Sequence, residues 1–496
     1  MSKIIDKFEP LFNPRSIAFI GASNTVTKWG FLILFNLLDG GYKGKVYPIN
    51  PKDDEVMGLK AYPSVLDVPD DVDLAIIVVP PKHVLGVIGQ CVEKRIPVGV
   101  VVTAGFGELD EEGKKIEREM AAVAKAGGMV LAGPNCAGVM SVNSCSMFAL
   151  MPPFTPKPGR ISMASQSGNV GASMMRFSVE RGMGFNKFIS TGNEAHLHSE
   201  DYFEYYAEDP DTDVILSYIE GPHDGRRLFE VAKKAVQAKP LIMLKSGRTS
   251  AGEKAAASHT GSLAGSDDIF DSMCKQSGIT RVENIEEMFD TAQAMLRQPV
   301  PKGNRVGIVA AGGGWGVLAA DACSNVGLDV VALKPETLAE LDEILPEWWS
   351  RNNPVDLVAG LRPGDFVNSV EALLRCDYID CVLALGGVGF STARAKNFKE
   401  SPVAERYGLG QMMDMFSASD LQTAEDLVGL IDKYGKPLLV ASETVVGSRV
   451  IENRPILTLE ENGVMVYPTP DRAAGVMARL VERALFLANG SGNGHG

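Results

Sequence analysis

Ser16-Ile-Ala-Phe-Ile20 runs into Gly21-Ala-Ser-Asn-Thr-Val-Thr-Lys-Trp-Gly30 and then into the apolar stretch Phe31-Leu-Ile-Leu-Phe-Asn-Leu-Leu38. A short apolar run, a glycine-opened turn and a helical stretch form the repeating unit of an α/β domain with a mostly parallel sheet. The unit recurs outward from this point. Lys45-Val-Tyr-Pro-Ile49, Leu74-Ala-Ile-Ile-Val-Val79 and Val98-Gly-Val-Val-Val102 each lead through a turn signal into a helical pattern. The stretch Met151-Pro-Pro-Phe-Thr-Pro-Lys-Pro-Gly159 can continue neither a helix nor a central strand, so a first domain is expected at residues 1–150. A second series opens at Gly159-Arg-Ile-Ser-Met-Ala-Ser165, includes Val214–Ile219 and Pro240–Leu244, and ends near Arg297-Gln-Pro-Val-Pro-Lys-Gly303. A third opens with Arg305-Val-Gly-Ile-Val-Ala310 and includes Cys381–Leu385 and Pro437–Ala441. At roughly 150 residues per domain, the 496 residues hold three tandem α/β domains. The last two are expected at 158–298 and 303–487, with a low-complexity tail at 488–496.

The composition excludes several classes of function. It is 45% hydrophobic and 22% charged, an ordinary globular balance. Its 48 Lys and Arg against 62 Asp and Glu leave a net charge of −14, which opposes general attraction to nucleic acid or anionic membrane. An anionic ligand therefore needs local binding sites. The seven cysteines form no Cys-x-x-Cys pair and no cluster with histidine, so neither zinc nor a disulfide framework is expected. The N-terminus has no apolar leader and no run of about eighteen apolar residues occurs. A soluble chain in the reducing cytoplasm is the expectation.

Three glycine-opened turns are candidate anion sites, because the start of a helix presents N–H groups and a positive dipole end. The first is the Gly21 turn. It lacks the Gly-x-Gly-x-x-Gly spacing of nicotinamide sites. The second strand ends in Asn50-Pro-Lys52, where an NAD site usually carries an acid. A lysine there suits an extra ribose phosphate, as in CoA or NADP, and a tight turn with a solvated lysine is the competing reading. The second candidate is Ser165-Gln-Ser-Gly-Asn-Val-Gly171, and the third is Ala310-Ala-Gly-Gly-Gly-Trp-Gly316. Gly247-Arg-Thr-Ser-Ala-Gly-Glu-Lys254 approaches a P-loop, but Glu253 separates glycine from lysine and no Ser or Thr follows. His259, inside Ala257-Ser-His-Thr-Gly-Ser-Leu-Ala-Gly265, sits among small residues on a presented loop. Histidine is a competent phosphoryl acceptor when a partner orients its other nitrogen. Glu220, at the end of the Val214–Ile219 run, is the candidate partner.

Eight short motifs in order carry a resemblance over about residues 8 to 485. They are Phe12-Asn-Pro-Arg-Ser-Ile-Ala-Phe-Ile-Gly-Ala-Ser23, Tyr47-Pro-Ile-Asn-Pro-Lys52, Thr103-Ala-Gly-Phe-Gly-Glu108, Gly133-Pro-Asn-Cys-Ala-Gly138, Ser165-Gln-Ser-Gly168, Ser190-Thr-Gly-Asn-Glu194, Ser258-His-Thr-Gly261 and Asn353-Pro-Val-Asp356. The chain resembles the nucleoside-diphosphate-forming acyl-CoA synthetases, the superfamily of succinyl-CoA synthetase, and more narrowly the α subunit of ADP-forming acetate–CoA ligase.

The resemblance implies a Rossmann-like CoA-binding domain followed by two flavodoxin-like ligase domains. It implies CoA contacts from Gly21, Ala22, Ser23, Lys28, Asn50, Lys52, Val79, Pro80, Thr103, Gly105, Glu108 and Asn135. It also implies phosphate contacts from Ser165, Gln166, Ser167 and Gly168, with a phosphohistidine at His259 oriented by Glu220. The implied reaction joins a carboxylic acid to CoA through an acyl phosphate while ATP becomes ADP and phosphate. No ATP-grasp segment is recognisable, so ATP, ADP and Mg are expected on a separate β subunit, in an α2β2 assembly. His196 and His198 read as exposed surface, with substrate contact as the alternative. An NADP-linked oxidoreductase leaves Ser258-His-Thr-Gly261 unused. A non-catalytic CoA-binding regulator is the more serious rival.

Overall fold

Strands buried on both faces read as continuous apolar runs, and parallel sheets covered by helices bury them that way. All five residues of Ser16–Ile20 are buried, as are all four of Leu74–Ile77 and of Val98–Val101. The computed structural model describes residues 3–254, 266–358, 362, 364–399 and 401–491. The chain divides into two compact units, residues 1–288 and 289–496.

The first unit holds two large sheets. In the first sheet the order is Lys45–Ile49, Ser16–Ile20, Leu74–Ile77, Val98–Val101 and Val130–Ala132, all parallel. In chain order this is 2-1-3-4-5, a doubly wound arrangement whose direction reverses between strands 1 and 3. Helices Trp29–Asp39, Pro81–Glu93 and Glu111–Ala126 supply the crossovers. Asp110 starts the last of them by accepting a hydrogen bond from the Gly113 amide at 2.8 Å, and Glu111 and Glu112 sit at its positive end.

The second sheet repeats the order. Phe185–Ser190, Pro158–Ser165, Val214–Ile219, Leu241–Lys245 and Thr280–Val282 run parallel, again 2-1-3-4-5. Beyond Phe185–Ser190 the sheet continues with two antiparallel strands, Gly138–Ser141 and Met147–Leu150. The expected first domain, 1–150, counted these residues with the first sheet. Their pairing differs because every residue of both strands is buried, which needs a long ladder and cover on both faces. Phe185–Ser190 provides the ladder, with Lys187 opposite Ser141 and Ile189 opposite Val139. Helix Trp29–Asp39 provides cover, and the Asn36 side-chain amide donates to the Leu150 carbonyl at 2.8 Å. The proline-rich stretch therefore joins two strands of one sheet. The N-terminal helix Lys3–Phe12 also packs on this side, with the Phe8 and Phe12 rings 5.0 and 5.1 Å from Tyr205.

The second unit is built on the order Asp329–Val330, Arg305–Ala310, Cys381–Leu385, Leu438–Ala441 and Val466–Tyr467, all parallel, with Val355–Asp356 pairing the end of Arg305–Ala310. Helix Ile285–Arg297, expected to close the second domain, anchors its later residues here. Arg297 pairs with Asp432 at 2.8 Å, Asp290 with Arg472 at 2.5 Å, and the Gln298 side chain accepts from the Leu438 amide. Among the described residues no helix is long and apolar enough to cross a membrane.

Candidate active site

The point where strand order reverses in an open α/β sheet leaves a crevice at the carboxyl ends of the strands. In the first sheet those ends are Gly21 and Val78. Gly21 has φ +95°, and a Cβ there would strike the Val78 carbonyl, so the turn requires glycine. Asn50 locks the neighbouring loop: its Oδ1 accepts from the Lys52 amide at 2.8 Å and its Nδ2 donates to the Ala22 carbonyl at 3.1 Å. Asn50 thus shapes the site as well as lining it. Lys28 and Lys52 are exposed beside the turn, two cations against the overall negative charge. Thr103 is held by its Oγ1, which donates to the Val79 carbonyl at 2.7 Å.

The second sheet reverses between Pro158–Ser165 and Val214–Ile219, so its crevice is framed by Ser165–Gly168 and Glu220. Ser167 caps helix Gly168–Glu180 by accepting from the Val170 amide at 3.3 Å, which turns the first helical turn toward the crevice. Gln166 spans the gap. Its Oε1 accepts from the Glu220 amide at 2.6 Å and the Gly221 amide at 3.2 Å, and its Nε2 donates to the Gly221 carbonyl at 3.0 Å. Glu220 is buried at the end of its strand.

The two crevices form one cleft of about 1540 Å³. That exceeds the roughly 300–1,000 Å³ of ordinary small-molecule sites, and suits an elongated ligand. Gly21, Ala22, Ser23, Lys28, Asn50, Lys52, Val79, Pro80, Thr103 and Asn135 line it together with Gln166, Ser167 and Gly168. Gly105, Glu108 and Ser165 are not among its walls. Glu108 instead staples its own loop, accepting from the Gly105 amide at 2.5 Å and the Phe106 amide at 3.2 Å. Ser165 donates to the Ser167 carbonyl at 2.8 Å behind the loop. His259 lies outside the described residues, so its approach to Glu220 is not placed. The third sheet's turn at Gly312 starts helix Gly313–Asn325, and Asn353 bonds the Ile308 amide and the Val306 and Val331 carbonyls, a staple between strands.

Behind the Ser165–Gly168 loop lies a set of polar groups, of which Glu117, Asn193, Glu194, Glu200 and His223 had no role assigned from the sequence. Asn193 donates at 2.6 Å to both Glu108 and Glu117, and its Oδ1 accepts from Asn135 at 3.1 Å. Burial pushes Glu108 up, but the Gly105 and Phe106 amides and Asn193 outweigh it and hold the carboxyl below its usual range. Burial wins at Glu117, which lies above its usual range. One amide therefore separates two acids of opposite tendency. Next to it, Glu194 is 2% exposed and accepts from Thr191 at 2.7 Å and Ser199 at 2.5 Å. Burial pushes Glu194 up to about 7, and Glu200 likewise to about 7. The His223 ring lies 3.6 Å from Glu194 and stacks on His198 with centroids 4.9 Å apart. His196 and His198 are half-buried rather than exposed, because their loop folds back so that the Ala195 and Leu197 amides bond Gly133 and Leu131. The Ser190-Thr-Gly-Asn-Glu194 motif, placed after a strand, was the available signal.

Residues 15–141 match the CoA binding domain family, 158–295 the succinyl-CoA ligase like flavodoxin domain, and 306–389 the ligase-CoA domain. The α subunits of ADP-forming acetate–CoA ligases II and I from Pyrococcus furiosus are each 38% identical to the chain, covering 97% of it and 98% of their own length. The 4-hydroxybutyrate–CoA ligase (ADP-forming) of Nitrosopumilus maritimus is 38% identical over 81% of the chain and 59% of its own length. Among solved structures, the dinucleotide forming acetyl-coenzyme A synthetase 1 of Candidatus Korarchaeum cryptofilum, in complex with phosphate and ADP, is 34% identical. It superposes with a TM-score of 0.84 over 97% of this chain and 98% of that one.

Proposed function

Because the chain belongs to the ADP-forming acetate–CoA ligase family and corresponds to its α subunits, we propose that it is the α chain of an acid–CoA ligase. The enzyme joins a carboxylic acid to CoA as ATP becomes ADP and phosphate. One observation carries the reading: a single elongated cleft runs from the Gly21 turn, with Lys28 and Lys52 beside it, to the phosphate loop Gln166–Gly168. The two ends suit the two anionic parts of the chemistry, the nucleotide phosphates of CoA at one and an acyl phosphate at the other.

In this reading, the phosphoryl group passes from ATP to His259, releasing ADP, and from His259 to the acid, and the CoA thiol then takes the acyl group from the acyl phosphate and releases phosphate. Lys28, Lys52 and the amides of Gly21, Ala22 and Ser23 hold the CoA phosphates, while Asn50, Val79, Pro80, Thr103 and Asn135 shape the cleft. Gln166, Ser167 and Gly168 hold the acyl phosphate at the start of helix Gly168–Glu180, with Ser165 bracing the loop. Gly105 and Glu108 shape the adjoining loop. His259 accepts the phosphoryl group, and Glu220 orients the ring and stabilises its developing charge.

A separate β subunit holds ATP or ADP with Mg, and the assembly is α2β2. The cytoplasm is its compartment in this reading.

Calorimetry tests the CoA half, and phosphate labelling tests the rest. CoA should bind the chain with an affinity that falls with salt and falls again in Lys52→Glu. Acyl-CoA with inorganic phosphate should label His259, and His259→Ala should abolish the label. Unchanged CoA affinity in Lys52→Glu refutes the first assignment, and equal labelling of His259→Ala refutes the second.

A further inference from the structure

The two ends of the cleft have walls of different kinds. The charged side chains of its lining are Lys28, Lys52, Asp53 and Lys82, all from the loops and helices of the first sheet, whereas none of the described lining residues from Asn135 to Ala172 carries a charge. That second end is also built largely from small residues. Gly168 starts the helix at the phosphate loop, and a Cβ on it would lie 2.8 Å from the Ala137 methyl group, so Ala137 stands directly against the loop. Ala172 lines the cleft one turn further on, about 6 Å along the helix. Gly171, next to it, faces the core against Phe188.

Met151 is the one long apolar side chain among the described walls of this end. Its backbone is already committed, because its amide donates to the Ala137 carbonyl at 2.9 Å and its carbonyl accepts from the Asn36 side chain at 3.4 Å. The bond to Ala137 sets it beside the residue that abuts Gly168. What it can offer the cleft is an unbranched thioether, which fills irregular space and yields to different shapes.

We infer that the acyl group lies among Ala137, Met151 and Ala172, that its tail carries no second charge, and that Met151 sets the bulk it can have. The inference rests on the function proposed above, which puts the acyl phosphate at Gln166–Gly168. A tail anchored there by its phosphate reaches Ala172 within one helical turn. An apolar tail gains with every methylene it covers. A second carboxylate would meet no cation among the described walls, and burying it unpaired is costly.

Calorimetry on the full chain with CoA, acetyl-CoA, butyryl-CoA, hexanoyl-CoA and succinyl-CoA tests this. Each acyl-CoA affinity is read as a ratio to that of CoA, which cancels any general change in the fold or in the CoA contacts. Met151→Ala should raise the hexanoyl ratio about tenfold and move the acetyl ratio by no more than about twofold, since methylenes in an apolar pocket discriminate on that scale. Ala172→Met, at a half-buried helix position that suits methionine, should lower the butyryl and hexanoyl ratios about tenfold, and it decides the matter if Met151→Ala does not fold. In the parent chain succinyl-CoA should bind about tenfold more weakly than butyryl-CoA. Acyl ratios that neither variant moves, or succinyl-CoA bound as tightly as butyryl-CoA, overturn the inference. A chain that shows these ratios yet takes no label at His259 from acyl-CoA and inorganic phosphate refutes the proposed reaction and leaves the acyl site standing.

Discussion

Replacing Asn193 by aspartate changes one nitrogen to oxygen at a point where two carboxyls are waiting. The Asn193 amide donates at 2.6 Å to Glu108 and 2.6 Å to Glu117. In Asn193→Asp three carboxyls meet. At an effective dielectric of about 20, two unit charges at the observed 2.6 Å repel by roughly 6 kcal/mol. Taking up a proton costs less, so one carboxyl becomes protonated in the folded state. Its folded pKa is raised above the unfolded value of about 4, so the deficit is small below pH 4 and grows as pH rises toward the folded pKa. At about 1.4 kcal/mol per pH unit, the deficit is about 2 kcal/mol at pH 5.5 and about 4 kcal/mol at pH 7.

Asn193→Ala is the control. It loses hydrogen bonds to charged acceptors, about 3 kcal/mol in all, with little dependence on pH over that range. Urea unfolding at the two pH values, followed by Trp29 fluorescence, makes the comparison, since Trp29 is the only tryptophan in residues 1–288. An aspartate variant equally destabilised at both pH values, or as stable as the parent, refutes the argument.

Three further outcomes are expected. Glu200 has its carboxyl raised by burial to about 7, and its Oε1 has no hydrogen-bond partner. The neutral Glu200→Gln should therefore match the parent near pH 4.5 and gain up to about 3 kcal/mol by pH 8, which thermal melting across that range will show. Lys187 and Asp209 form a pair at 2.8 Å with each side chain 5% exposed. Lys187→Met should cost about 3–5 kcal/mol by leaving Asp209 buried without its cation, and urea unfolding at pH 7 measures it. Gly171→Ala gains about 1 kcal/mol of helix propensity, but its Cβ would lie 2.6 Å from the buried Phe188 ring. Overpacking of about 1–3 kcal/mol should lower the melting temperature, and a rise would refute the steric reading.

The strands at Ser16–Ile20, Val214–Ile219 and Arg305–Ala310 were legible because apolar runs of strand length end in glycine or breaker signals. The Gly21 turn and the Ser165–Gly168 loop were legible for the same reason, since a helix start after a strand has a local signature. The residues that position them were not. Asn193 and Asn353 act through bonds to backbone and side chains that only the fold brings near, and Asn50, named from the sequence, adds to its local turn a bond to the Ala22 carbonyl that the sequence does not show. Ser199-Glu-Asp201 reads as the polar start of a surface helix, yet Glu200 is 2% exposed because the aromatic N-terminal helix covers this face. The strands Gly138–Ser141 and Met147–Leu150 were missed because a proline-rich stretch looks the same whether it separates domains or links neighbouring strands.

That hairpin has a mechanical consequence for ligand exchange. It carries the chain from the first sheet to the far edge of the second and is laddered to Phe185–Ser190 at Val139, Met140 and Ser141. Its outer strand is clamped by helix Trp29–Asp39, which begins at the Gly21 end of the cleft. A clamshell opening of the two walls would have to unzip that ladder or tear the helix from it. The hairpin therefore ties the two walls of the cleft together, with Lys28, Trp29 and Lys52 among the exposed residues of its lining.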